Sequence, residues 1–411
     1  MNDTTLIDLS SRPRRPGTLG RLARTLVLDR ISRIGKGRLR IIEGGTAFEL
    51  GRGGGPCHTL EVRDPAFYAD VAFGGSVGAG ESYMLGHWST DDLTGLLRLM
   101  LANRDIVDGM EGGLAGLSAP LRRAAHWLHR NTRAGSRRNI AAHYDLGNDF
   151  FALFLDETMM YSCAIFEHPH ASLAAASRAK LAAVCRKLAL RPTDHVLEIG
   201  SGWGGFAMYA ALNHGCRVTT TTISPSQHAL ATECVRVAGL QDRVTVLLED
   251  YRDLRGTFDK LVSIEMIEAI GHEGYPGFFR TCAARLAPRG RMLLQSITIA
   301  DHRYERARRE VDFIKRYVFP GCCIPAVAPL AQAMALSSDL RIVGLEDIGP
   351  HYATTLARWR ENFRANEARV AALGYPASFR RMWEFYLSYC EAGFAERALG
   401  DVQMVLTREG A

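Results

Sequence analysis

An α/β fold built on a doubly wound parallel sheet is predicted for most of this 411-residue chain, and two observations predict it. In HVLEIGSGWGGF, residues 195–206, the apolar Val196, Leu197 and Ile199 run into glycines and then into a helix-compatible stretch, Phe206 to Leu212. That is the signature of a buried strand turning sharply into a helix. After it, CRVTTTTIS, VTVLLED, DKLVSIEM and RMLLQSIT read as strands separated by helical segments. Strands alternating with helices build a sheet covered on both faces. The N-terminal quarter has a different pattern and predicts a separate, small α+β domain.

Taken in order, residues 1–18 are rich in Ser, Arg and Pro and read as a disordered basic tail without the apolar segment of a secretory signal. Residues 19–111 form the small domain. There RLRIIEG, a Gly44-Gly45 turn and TAFELG make a hairpin, and CHTLEVRD adds a strand. A helix starts at Pro65, the glycine-rich FGGSVGAGESYMLGHW follows, and Asp91-Asp92 precede a helical LTGLLRLMLANR. Residues 112–138 are a basic connector, and 139–411 are the larger domain. Within it Leu173, Leu181, Val184 and Leu188 share one helical face. Ser224-Pro225-Ser226-Gln227 opens a helix as a capping box with Pro at its first position. A helix from Tyr275 to Leu286 separates the last two of the four strands, and LRIVGLEDIG and DVQMVLTRE are late strands flanking a helical region, Thr354 to Arg397.

Composition, 47% hydrophobic and 23% charged, is that of a soluble globular protein, with no apolar run long enough to span a bilayer. The nine cysteines include no C-x-x-C pair, and no metal-ligand spacing or H-E-x-x-H is present, so no metal is expected and a reducing compartment is. The net charge of +6 is concentrated in Arg12, Arg14, Arg15, Arg21, Arg24, Arg30, Arg33, Lys36, Arg38 and Arg40, and again in the connector, from Arg122 to Arg138. An anionic bilayer, a nucleic acid and plain solvation are all compatible with such runs.

The chemistry begins at the glycine turn. Gly200, Gly202 and Gly204 permit positive φ and let a ligand lie against the backbone, with helix amides facing a negative group. The spacing also fits a dinucleotide fingerprint, which wants an acid about twenty residues on for the ribose hydroxyls. The chain offers Thr220 to Ser224 there and places its acid, Glu198, inside the first strand, within reach of an amino-acid ammonium. VLEIGSGWGG thus resembles the first motif of class I S-adenosylmethionine (AdoMet) methyltransferases, which implies a Rossmann-like sheet. Ligands of such sheets sit at the carboxyl ends of the strands, here Gly200 to Gly205, Glu268, and Gln295 to Ile297.

YSCAIF, VLEIGSGWGGFA, TISPSQ, EDYRDL, SIEMIEAIG, FIKRYVFPG and HYATTLARW, spread from about Arg137 to the C-terminus, resemble the motifs of the cyclopropane-fatty-acyl-phospholipid synthase family, which includes the mycolic acid cyclopropane synthases. GAGESYMLGHW and DDLTGLLRLMLANR resemble the extra domain of the bacterial two-domain synthases. The resemblance implies methylene transfer from AdoMet to a cis double bond in an acyl chain of a membrane phospholipid. A peripheral position on the inner face of the cytoplasmic membrane, no nucleic-acid partner and a homodimer are further implications. It also implies a bicarbonate ion as base, held by Cys163, Glu268, Tyr352 and the Ile297 backbone. Gln295 stands where the family has histidine: its amide still donates, but it cannot take up a proton. Cys390 matches a cysteine of the family's C-terminal helices. For AdoMet, Tyr161 and Ser162 match contact residues, Gly200 and Gly202 the glycines under the methionine with Gly204 beside them, Glu198 the ammonium partner, and Thr222 and Gln227 the ribose side. Asp250 and Tyr251 would flank the adenine, and Phe313 to Phe319 would face the membrane and admit the acyl chain.

Simpler roles compete with these. A lone Cys163 is ordinarily a small buried hydrophobe, and a lone Tyr352 a core residue with a satisfied hydroxyl. The Gln295 departure also leaves open a methylene- or methyl-branched or furan-precursor product, a small soluble acceptor, or binding without turnover.

Overall fold

The computed structural model describes residues 17–106, 108, 135 and 146–408. The basic tail up to residue 16 and all but residue 135 of the connector 112–138 lie outside the described residues. The chain divides into two compact units, one of Met1–Leu121 with Pro376–Phe385 and one of Arg122–Tyr375 with Tyr386–Ala411. A segment of the C-terminal helical region is therefore grouped with the first unit, which a division by sequence at residue 139 did not foresee.

In the first unit, helix α1 (Thr18–Ile31) turns Ala23, Val27 and Ile31 inward. Strands β1 (Arg38–Glu43) and β2 (Thr46–Leu50) form the hairpin across Gly44 and Gly45, and β3 (Cys57–Val62) lies parallel to β1. The glycine-rich stretch is helical: it lies in α2 (Ala66–Met84), which kinks at Gly75, where φ is 60°. The kink brings Gly78 onto the Asp70 carbonyl, where a Cβ would fall 2.0 Å from the oxygen, so glycine is required by contact. Strand β4 (Trp88–Ser89) completes the sheet, and Asp92 caps α3 (Leu93–Ala102) by accepting from the Gly95 amide. Arg381, from the returning segment, lies 4.0 Å over the Tyr83 ring and donates to the Trp88 carbonyl, a cation–π contact reinforced by a hydrogen bond.

The second unit is a seven-stranded sheet with the order β10-β11-β9-β8-β5-β6-β7. Helix α4 (Leu173–Leu188) leads into β5 (His195–Ile199), and α5 (Gly205–His214), β6 (Arg217–Thr222), α6 (Pro225–Val237), β7 (Val244–Leu248) and β8 (Phe258–Ile264) follow. Next come α7 (Tyr275–Arg285), β9 (Leu286–Ile299), β10 (Leu340–Asp347), α8 (Gly349–Ala365), α9 (Ala377–Ala395) and β11 (Leu399–Arg408). Strands β5 to β9 pair in parallel and β11 joins them antiparallel to both β9 and β10. Period-two alternation divides the buried residues between two cores. Leu197, Leu261 and Leu294 point to one, and Val196, Val262 and Leu293 to the other. Both faces are thus covered, as the alternation of strands and helices predicts. Because β5 has β6 on one side and β8 on the other, the chain reverses direction of travel there, and the carboxyl ends of these strands are where an open α/β sheet holds its ligand in a crevice.

Candidate active site

The β5 side of the crevice is built from backbone. Gly200 has φ of 97°, and a Cβ there would fall 3.2 Å from the Met266 side chain; at Gly202 (φ 49°) a Cβ would meet nothing within 4 Å. The first glycine is needed for packing and geometry, whereas the second borders open space. Gly204 takes the left-handed conformation as the N-cap of α5. Glu198 is 2% exposed, its Oε2 has no hydrogen-bond partner among the described residues, and burial pushes its carboxyl up to about 8. A buried acid with an orphaned oxygen is costly unless a cation meets it. Thr222 donates to Gln227 Oε1 at 2.9 Å, and Ser224 caps α6. Asp250 carries a bidentate pair with Arg252, and the Tyr251 ring packs edge-on against Phe278 at 5.7 Å.

On the other side lie acids. The resemblance gathers Cys163, Tyr352 and Ile297 round one anion beside Glu268, but here the donors divide between two carboxylates. Glu268, in the short helix after β8, accepts from Ser296 Oγ at 2.8 Å and the Ile297 amide at 2.7 Å. Its Oε2 is unpartnered among the described residues, and burial, with Glu265 nearby, raises it to about 8. Glu265, which the sequence reading passed over, takes the rest. Its Oε1 accepts from the Cys163 amide (2.8 Å) and Gln295 Nε2 (2.7 Å), and its Oε2 from the Tyr352 hydroxyl (2.6 Å). Glu265 holds φ of 49°, a left-handed conformation uncommon outside glycine and often found at functional sites. The donors assigned to bicarbonate are therefore already engaged by acids of the chain, the Cys163 amide and the Tyr352 hydroxyl by Glu265 and the Ile297 amide by Glu268, and the residues present do not fit a second anion among them.

Cys163 enters through its backbone. Its thiol donates to the Ala164 and Ile348 carbonyls, and burial raises it well above its usual value, so it stays a thiol. Burial likewise raises the thiol of Cys390 on α9, which forms no disulfide. Ser162 accepts from Lys180 Nζ at 2.8 Å, and the wholly buried Lys180 is lowered to about 8 by desolvation. Asp401, at the start of β11, is fully buried, accepts from Gln295 Nε2 at 3.2 Å and is raised well above the usual carboxylate range by burial and by Glu265. Lys180 and Asp401 were also missed. One signal was available for Glu265 and Lys180: a charge set among apolar neighbours, in LVSIEM and on the helical face of Leu181 and Val184.

Aromatic rings wall the site. Tyr352 stacks on Phe394 at 4.4 Å, Tyr161 lies 5.1 Å from Trp359 and 5.3 Å from Phe151, and the Tyr161 and Tyr386 hydroxyls meet at 2.8 Å. Phe313, Ile314 and Val318 are buried, so Phe313 to Phe319 does not supply an exposed membrane face. The vicinal Cys322-Cys323 pair sits against this site, the Cys323 amide donating to the Glu268 carbonyl at 2.8 Å. No cluster of metal ligands occurs among the described residues.

The orphaned Glu198 oxygen, the bare side of Gly202 and the Thr222–Gln227 pair fit an amino-acid-bearing nucleoside such as AdoMet. Comparison with known proteins agrees. Residues 131–404 match the family described as Mycolic acid cyclopropane synthetase. The chain is 39% identical to the tuberculostearic acid methyltransferase UfaA1 of Mycobacterium tuberculosis over 82% of this chain and 80% of that protein. With the cyclopropane-fatty-acyl-phospholipid synthase of Escherichia coli it shares 38% identity over 85% and 87% of the respective chains. Among solved structures, mycolic acid cyclopropane synthase CmaA1 complexed with SAH and CTAB superposes with a TM-score of 0.62 at 30% identity, covering 66% of this chain and 98% of that one. The sheet order, the glycine turn and these matches together place the chain in the mycolic acid cyclopropane synthase family, as an AdoMet-dependent methyltransferase.

Proposed function

We propose that the protein adds the AdoMet one-carbon unit to a cis double bond in the acyl chain of a membrane phospholipid and closes it to a cyclopropane, with Glu265 as the base. The observation that carries this reading is the pair of acids just past β8, Glu265 held by three donors and the buried Glu268 pushed toward neutrality. Two acids with such different partners can divide the work of holding and taking protons.

Bound AdoMet supplies an electrophilic methyl group. Glu198 would hold its ammonium, the glycine turn its methionine backbone, and Thr222 and Gln227 its ribose side. When the alkene π electrons bond to the methyl, the S–CH3 bond breaks and its electron pair leaves on the sulfur of S-adenosylhomocysteine; a carbocation would then stand beside the new methyl, and the walls of Tyr161, Tyr352, Trp359 and Phe394 exclude water and offer π faces to the charge. Glu265, which accepts from the Cys163 amide, Gln295 and Tyr352, takes a proton from the added methyl, and the electrons of that C–H bond close the ring. A carboxylate of the chain here takes the place that the resemblance gave to bicarbonate.

A second reading stops at a methyl or methylene branch. The 39% identity to a tuberculostearic acid methyltransferase supports it. Gas chromatography of fatty-acid methyl esters from cells expressing the protein decides: a cyclopropane ester is expected, a branched ester would establish the second reading, and unchanged monounsaturated chains would overturn both.

Access to lipid is assigned to α1. Leu19, Leu22 and Leu26 are exposed on its outer face, within a stretch, 17–42, holding seven cations and one acid. Apolar anchors beside cations suit an anionic bilayer. No helix among the described residues is long and apolar enough to cross a membrane. Cosedimentation with anionic vesicles should fall when Leu22 and Leu26 are replaced by Glu.

A further inference from the structure

We propose that Lys187 and Gln403, outside every role assigned above, are positioning residues that fix the sense of the Gln295 amide. The inference rests on Glu265 as base and deepens it. A glutamine beside a carboxylate is useful only if its N–H side faces that carboxylate, and the two ends of an amide are nearly alike in size. Turned over, Gln295 would set a carbonyl against Glu265.

The structure contains a chain that forbids the turn. Lys187 pairs with Glu346 and donates its ammonium to Gln403 Oε1. An ammonium has no acceptor, so the Gln403 oxygen must face it. Gln403 Nε2 is thereby directed at Gln295 Oε1, 2.9 Å away, and Gln295 Nε2 at Glu265 Oε1 and Asp401 Oδ2, at 2.7 and 3.2 Å. Lys187 can only donate at one end and Glu265 accepts at the other, so one orientation satisfies every bond, whereas turning both amides over keeps only the bond between them and loses both ends. Gln295 and Gln403 face each other across the β9–β11 pairing and both are wholly buried, where an amide has no water to compensate for a wrong orientation.

The test combines kinetics and spectroscopy on the full-length protein with vesicles of unsaturated phospholipid. Gln403→Leu should lower kcat by about ten- to a hundredfold, the scale of a lost hydrogen bond to a charged group, with AdoMet affinity within about twofold. Lys187→Met should act in the same direction more weakly. In a Gln295→His background Gln403→Leu should cost less than about threefold, because an imidazole has no amide to invert. An equal loss in both backgrounds, or a parallel loss of AdoMet affinity, would assign Gln403 to packing and overturn the proposal. Side-chain amide signals of 15N-glutamine-labelled protein give a readout independent of turnover. Lys187→Met should move both the Gln403 and the Gln295 signals, and unmoved signals overturn the chain. Signals that move while kcat stays fixed would retain the chain and reject Glu265 as base.

Discussion

The two sides of the crevice hold their acids in opposite ways. Glu198, on the β5 side, is buried with one oxygen unpartnered among the described residues, whereas Glu265, on the β8 side, accepts donors from Cys163, Gln295 and Tyr352. An acid left short of partners is completed by an arriving cation, and an acid already held by three donors is fixed in place when the reaction generates positive charge. On the proposed function one side binds and the other reacts. Substitutions on the two sides should therefore separate affinity from turnover.

The largest effect is expected at the saturated acid. Glu265→Gln keeps the volume and removes the charge, and turnover on unsaturated vesicles should fall about a thousandfold, within the range of a lost general base. AdoMet affinity, by calorimetry, should stay within a few fold. A variant that loses AdoMet and turnover together would erase the distinction between the two sides. The converse is expected of Glu198→Gln: AdoMet affinity falls by about ten- to a hundredfold, the scale of one charge-assisted bond, while the rate at saturating AdoMet changes little. Unaltered affinity would leave the orphaned oxygen without a ligand.

The same contrast explains what could be read in the sequence. The binding side is local: strand, glycines and helix lie within HVLEIGSGWGGF, and Glu198 stands out in an apolar run, so the turn, the acid and the doubly wound sheet were all legible. The reacting side is assembled from Glu265, Gln295 and Asp401, which the parallel and antiparallel pairings of β8, β9 and β11 bring together, and from Cys163 and Tyr352, which reach Glu265 from a loop and from α8 across more than half of the larger unit. Periodicity carries no information about such meetings, and motif resemblance pointed to Glu268 with a bound ion, whereas the proposed function gives that place to Glu265. The glycine-rich stretch of α2 was unreadable for another reason. Glycine is a poor helix former, and only the contact of Gly78 with the Asp70 carbonyl shows why it is there.

A smaller, graded effect should appear with pH. Glu198 and Glu268 are raised from 4.5 to about 8 by burial, so between these values the folded protein holds protons that the unfolded chain has released. Stability from these groups is complete below the unfolded value and is lost as pH rises toward 8. The ligand-free protein should melt lower at pH 8 than at pH 5, and Glu268→Gln should flatten that slope. AdoMet binding should tighten over the same interval, because a cation favours ionised Glu198, by up to about tenfold per pH unit. Glu198→Gln should remove the dependence. A flat profile in the parent protein would mean that neither acid retains its proton in the fold.

The smallest effect is expected where the resemblance suggested a catalytic side chain. Cys163 serves Glu265 through its amide, and its thiol donates to the Ala164 and Ile348 carbonyls. Serine can donate to the same carbonyls and leaves the amide where it is, so Cys163→Ser should retain turnover within about threefold, the scale of a small change in one neutral hydrogen bond. Its AdoMet affinity should not move. Cys390→Ser should be as mild, since burial keeps that thiol protonated and the addition of a methyl to an alkene requires no covalent intermediate on the enzyme. A hundredfold loss in Cys163→Ser with unchanged AdoMet affinity would transfer the chemistry from backbone to side chain. Glu265 would then be the partner of a reacting thiol, and the reacting side would be organised around sulfur.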